Sequence, residues 1–218
     1  MGKRTFSAAW LKYFACVAML ADHIGAILIS PDSALYLPLR CFGRMAFPLF
    51  AFFVAQGCRK THDLPGYLRR LFLFALVAQG PYMLAFGYFS GSVILTFFLA
   101  GAGIALYEAA REHVWAPLAV FPVLCMALMA YWTDSDYGPL AVLLIFAIYL
   151  CGDNRAAWAI CMTVALYLFY ANPFFLFASV STVMLLFYHG ELGRGSKWFF
   201  YWFYPVHLLI LAIVGYLL

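Results

Sequence analysis

The sequence predicts an all-α protein, a polytopic transmembrane helical bundle of about nine spans, and three observations predict it. Hydrophobic residues make up 67% of the 218-residue chain and charged residues 10%, with a mean hydropathy of +0.93, a balance that no soluble domain of this length carries. The apolar runs are long and unalternating, as a helix crossing a bilayer in about 20 residues requires; a barrel strand needs only about ten alternating ones. The cations gather in alternate loops, which is the signature of a chain threaded back and forth across a membrane.

The first span, 8–29, follows Lys3 and Arg4 and so has the outline of a signal peptide. It is too long for one, and Asp22-His23 interrupts it, so it is read as uncleaved. The second, 41–58, runs inward, with Arg40 at its outer boundary and Arg44 one turn deeper. The basic loop "RKTHDLPGYLRR" (59–70) leads to the third span, 71–88, whose middle reads "LVAQGPYML" and holds Gln79. Spans 91–109, 114–132 and 138–151 are nearly uninterrupted apolar runs. Spans 156–171 and 173–188 are joined only by "ANPFF", and the division between them has the least sequence to mark it. The ninth, 198–218, opens on the aromatic run "WFFYWFY", an interfacial belt entering a span. The whole of 1–218 reads as one transmembrane domain without a soluble domain.

Nine spans put the two ends on opposite faces. With a cytoplasmic N-terminus, the inner side receives Lys3, Arg4, Lys12, Arg59, Lys60, Arg69, Arg70, Arg111, Arg155, Arg194 and Lys197, and only Arg40 and Arg44 lie towards the outside. The C-terminus is then outside. The net charge of +4 sits mainly on the inner face and does not mark a nucleic-acid binder. The six cysteines form no CxxC pair, so neither a disulfide framework nor a metal site is expected.

Ionisable groups inside spans cost about 2.5–3.5 kcal/mol each on insertion scales and are therefore default candidates for function. A rise of about 1.5 Å per residue puts Asp22 and His23 roughly 20 Å from the cytoplasmic end of the first span, past the midplane. His207, in "FYPVHLLIL", lies near the middle of the last span. Adjacent helical residues point about 100° apart, so Asp22 and His23 should face different partners. Asp22 can pair with Arg44 or Arg40 across the first outer loop, which leaves His23 to face a cavity as a neutral, proton-accepting imidazole. Plainer roles stand beside these: His207 as a packing residue, Arg40 as an anchor reaching for the interface, and Gln79 as a partner for carbonyls freed by Pro81. The four cations of 59–70 suit anionic lipid head groups or a phosphate ligand equally.

Five stretches, "LKYFACVAMLADHIGAIL", "LRCFGRMAFPLFAFFVAQG", "YLRRLFLFALVAQGPYML", "DSDYGPLAVLLIF" and "KWFFYWFYPVHLLIL", together resemble the TraX family, in order and over nearly the whole chain. The resemblance implies a multi-pass acyltransferase of the bacterial inner membrane that uses acetyl-CoA and an intramembrane histidine, the founding member being associated with acetylation of the pilin N-terminus. Carried onto this sequence it lands on Asp22 and His23, then Gly43, Arg44 and Pro48, then Gln79 and Tyr82, Tyr137 and Gly138, and Tyr204 and His207. Where the family often has an Asn before the fourth span, this chain has Ser92.

Acyl transfer needs a thioester carbonyl, a nucleophile relieved of its proton, and a group that stabilises an oxyanion. His23 is the expected base or acetyl carrier, with Asp22 and Arg44 setting its electrostatics. Arg40, Gln79, Tyr82, Tyr137, Tyr204 and His207 are expected to hold the acceptor or the tetrahedral intermediate. The phosphates of an acyl-CoA carry about four negative charges and suit Arg59, Lys60, Arg69 and Arg70. The acceptor is an amine or hydroxyl, on pilin or on an envelope glycan or lipid. The alternative is a proton-coupled transporter or flippase that uses the same Asp/His/Arg cluster as a relay, although the sequence shows no repeat symmetry. An inert assembly factor would have no use for so costly a cluster.

Overall fold

The structure is a computed structural model that describes residues 6–115 and 117–218. Lys3 and Arg4, two of the inner cations, lie outside the described residues. Helix dominates throughout: α1 (Ala8–Leu28), α2 (Tyr36–Gly43), α3 (Ala46–Lys60), α4 (Leu64–Phe86), α5 (Val93–Ala110), α6 (Phe121–Trp132), α7 (Gly138–Cys151), α8 (Arg155–Phe169), α9 (Phe174–Leu186) and α10 (Lys197–Leu217). Among the described residues there is no strand, only an isolated bridge between Phe6 and Tyr188. Among the described residues four segments are long and apolar enough to cross a membrane: Ala8–Leu28, Tyr36–Lys60, Val93–Ala110 and Lys197–Leu217. The helices over 118–132, 138–151, 155–169 and 174–186 are apolar but shorter.

Each helix begins and ends for local reasons. Ser7 caps α1, its hydroxyl accepting the N–H of Trp10 at 3.3 Å, and the helix stops two residues before Ser30-Pro31, where proline disfavours helical backbone in the residue it follows. Asp63 caps α4 by accepting the Gly66 N–H at 2.8 Å. The second apolar run, expected to be one helix, is divided at Arg44-Met45. Pro48 has no N–H to offer the Arg44 carbonyl four residues back, and its ring crowds that carbonyl, so the helix ends and restarts. Ser181 of α9 satisfies the Met45 carbonyl at the break with its hydroxyl, at 2.8 Å.

The chain forms two compact units. One comprises residues 1–50, 81–87 and 162–218, so that α1, α2, α9, α10 and the ends of α3, α4 and α8 belong to it. In it α1 packs on α2 and α10, and α9 packs on α2, around Leu11, Ala18, Leu49, Leu166 and Leu208. The other comprises 51–80 and 88–161, with α5, α6 and α7 packed together around Ile104, Val123, Ile145 and Ile148. In both, polar side chains such as His23, Thr96, Ser181 and His207 are buried, and Leu76, Leu84, Ile160, Val164 and Ile210 face outward. An apolar exterior around a partly polar interior is the arrangement hydrocarbon surroundings favour.

Candidate functional site

The polar residues of the first unit converge where α1, α2 and α10 meet. Asp22, on α1, accepts from two arginines of the second run. Arg40 donates from Nη1 to Asp22 Oδ2 at 2.8 Å and to the Asp22 carbonyl at 3.2 Å. Arg44 donates from Nη2 to Oδ1 at 2.9 Å and to Oδ2 at 3.2 Å. One carboxylate thus holds both guanidinium groups, and all three side chains are largely shielded. The Arg44 guanidinium also lies over the rings of Tyr170 and Phe174, at 5.6 and 5.7 Å from their centroids. Tyr170 in turn lines an opening of about 540 Å³ at the α8–α9 turn, together with Tyr167, Asn172 and Phe175.

Two glycines make this approach possible. A Cβ at Gly43 would overlap Asp22 itself, and a Cβ at Gly25 would press on the stem of Arg40 at 3.3 Å. Without side chains there, α2 can lie directly against α1 and Arg40 can cross it on the way to Asp22.

His23 turns the other way, as residues 100° apart on a helix must. Where a cavity was expected the ring meets His207: His23 Nδ1 and His207 Nε2 are 2.7 Å apart in two nearly coplanar rings. His207 Nδ1 lies 2.6 Å from the Phe203 carbonyl, one turn earlier on α10. A carbonyl can only accept, so Nδ1 of His207 bears its proton, and in the neutral ring Nε2 carries the lone pair. The 2.7 Å bond is then donated by His23 Nδ1–H, which places the lone pair of His23 on Nε2. His207 is thus a buried, hydrogen-bonded residue of the bundle interior whose partner is His23. Phe86 and Tyr204 meet the His23 ring edge to face, at 5.7 and 6.1 Å, and Tyr82 packs on Phe86 at 4.9 Å.

The remaining candidates belong to the second unit. Gln79 does not serve the carbonyl freed by Pro81; its Nε2 donates to the Ser90 carbonyl at 2.5 Å and its Oε1 accepts the Ser92 N–H at 3.3 Å, tying α4 to the start of α5. Tyr137 is in left-handed backbone at φ 63° before Gly138, in a turn held by the Thr96 hydroxyl donating to the Asp136 carbonyl at 2.7 Å. Of the cation cluster, Arg59 is paired with Asp153 at 3.2 Å, whereas Lys60 and Arg69 are exposed and Arg70 is half-buried.

Sequence reasoning missed Phe203, Phe86, Tyr170, Phe174 and Gly25. None carried a signal in the sequence: the Phe203 acceptor is its backbone carbonyl, which every helical residue has one turn back.

The chain is similar to the probable fimbrial assembly protein FimC, serogroup H1, of Dichelobacter nodosus, at 30% identity over 234 residues that cover 95% of each protein. It is also similar to the uncharacterized protein RP591 of Rickettsia prowazekii (strain Madrid E), at 23% identity over 72% of this chain and 60% of that one. No solved structure matches. The sequence model described as TraX protein matches residues 7–215, almost the full length of the chain, which therefore belongs to the TraX family.

Proposed function

We propose that this membrane protein is an acetyltransferase of the bacterial inner membrane that moves an acetyl group from cytoplasmic acetyl-CoA to the N-terminal amine of a pilin. The observation that carries the reading is the hydrogen-bonded His23–His207 pair, because it directs the one available imidazole lone pair, on His23 Nε2, away from its partner. A base whose second nitrogen is held by another group is the recurring design for activating a nucleophile. The kinship with a fimbrial assembly protein favours a pilin over an envelope glycan or lipid as acceptor.

In the proposed step the amine nitrogen attacks the thioester carbonyl and forms the new C–N bond. His23 Nε2 takes the proton the nitrogen sheds, the C–S bond breaks, and the same proton goes to the departing sulfur, so that free coenzyme A leaves as a thiol. Phe86 and Tyr204 pack on the His23 ring, with Tyr82 behind Phe86, and lipid keeps out the water that would otherwise hydrolyse the thioester; Arg44 acts from a distance, through Asp22 and its charge. Release of free thiol by the purified protein, dependent on both acetyl-CoA and a pilin N-terminal peptide, tests the reading. Peptide-independent release, or none, ends it.

Lys60, Arg69 and Arg70, with Arg59 released from Asp153, form the basic surface proposed to hold the nucleotide end of the donor. Replacing all four with Gln should weaken coenzyme A binding at low salt and much less at high salt, where such contacts are already screened within a Debye length of roughly 8–10 Å. Unchanged binding at low salt, read by calorimetry, would leave the loop as a topology signal only.

The proposed threading is nine spans with the N-terminus cytoplasmic and the C-terminus outside, as the distribution of cations favours. A cysteine added after Leu218 should react with a membrane-impermeant maleimide from the outside. Labelling from the cytoplasmic face alone contradicts that threading.

A further inference from the structure

Two guanidinium groups share a single carboxylate at Asp22, so the cluster carries one positive charge beyond what it balances internally. The other carboxylates of the same unit are elsewhere in the chain: Asp32 is exposed in the loop after α1, and the backbone of Glu191 pairs with Ala8 at the opposite end of that helix. Both bonds made by Arg40 leave from Nη1. Its Nε and Nη2, the edge that presents two parallel N–H donors, make no hydrogen bond among the described residues, and neither atom is sealed from the surroundings. The side chain is nonetheless fixed. Its stem crosses α1 over Gly25, and its far nitrogen is pinned by the carboxylate and carbonyl of Asp22, the residue next to His23.

A rigid two-donor edge with surplus charge matches a planar, two-oxygen anion, because each N–H can meet one oxygen without a change of rotamer. We propose that the Nε/Nη2 edge of Arg40 binds a carboxylate of the acceptor, and that the preferred acceptor is therefore an acidic peptide whose Asp or Glu side chain lies close to its reacting terminal amine. The proposal rests on acyl transfer to a peptide for the amine, and on the charge and geometry of Arg40 for the carboxylate. An anchor that merely reached for the interface would not need to be pinned at one nitrogen and left open on the other edge.

The test uses the full chain in phosphatidylcholine nanodiscs with two fluorescent probes: a short apolar peptide with a free terminal amine and one nearby glutamate, and its glutamine twin. Wild-type protein should bind the glutamate peptide about 10- to 100-fold more tightly by anisotropy, the range expected of a charge-assisted pair. Arg40→Gln should bind both peptides alike. Should that variant fail to fold, Arg40→Lys serves, since it keeps the charge but loses the paired donors and should lose most of the preference. Equal binding by the wild type overturns the proposal, as does a preference that survives in Arg40→Gln. A preference erased by adding phosphatidylglycerol to the discs would assign the edge to lipid phosphate and overturn it too. Glutamate-selective binding without acetyl transfer to either peptide supports the carboxylate site while ending the transfer reading.

Discussion

Replacing His23 with alanine is expected to reduce acetyl transfer by about 10²–10⁴-fold, the usual consequence of removing a general base, while leaving donor binding nearly unchanged. The measurement is thiol release at saturating acetyl-CoA and peptide, set beside coenzyme A binding to the same preparation. His207→Ala should act through His23. It removes the acceptor of His23 Nδ1–H and frees the base to adopt the other tautomer, so the loss should be smaller and should be partly restored in His207→Gln, whose amide oxygen can accept the same proton. Wild-type turnover in His23→Ala would remove this histidine from the chemistry.

Asp22→Asn should instead lower stability and activity together. The variant leaves two guanidinium groups facing an uncharged amide in a site shielded from water. Breaking a buried pair in this way typically costs about 3–5 kcal/mol, and the slight exposure of Asp22, Arg40 and Arg44 puts the expected value near the lower end. Thermal unfolding in detergent should show a clear fall in midpoint for Asp22→Asn and little change for His23→Ala. If both variants unfold like the wild type, the Asp22 carboxylate is not what holds α2 against α1.

That contrast follows from how differently the two neighbours could be read in the sequence. Asp22 and its arginines are separated by one short loop, so their pairing was legible from threading alone; that both arginines would share the carboxylate was not. His23 and His207 are 184 residues apart, and nothing in a single sequence says which two spans are neighbours in a bundle. Hydropathy made the helices legible because it needs only a running sum along the chain. It also hid the break at Arg44-Met45, where apolar continuity outweighed the signal from Pro48. Gln79 shows the same limit: that it lies in a helix was legible, but its partners at Ser90 and Ser92 depend on a turn whose course hydropathy does not encode.

The hydrogen-bonded chain from His23 through His207 ends on the Phe203 carbonyl, an oxygen that can accept a hydrogen bond but cannot pass a proton on. Two hydrogen-bonded imidazoles could otherwise form the start of a wire. A proton arriving at His23 Nε2 can move to His207 and no further along this path, so it must return by the way it came. Along these two hydrogen bonds the pair can store a proton and hand it back at His23, which is what a general base requires of its partner.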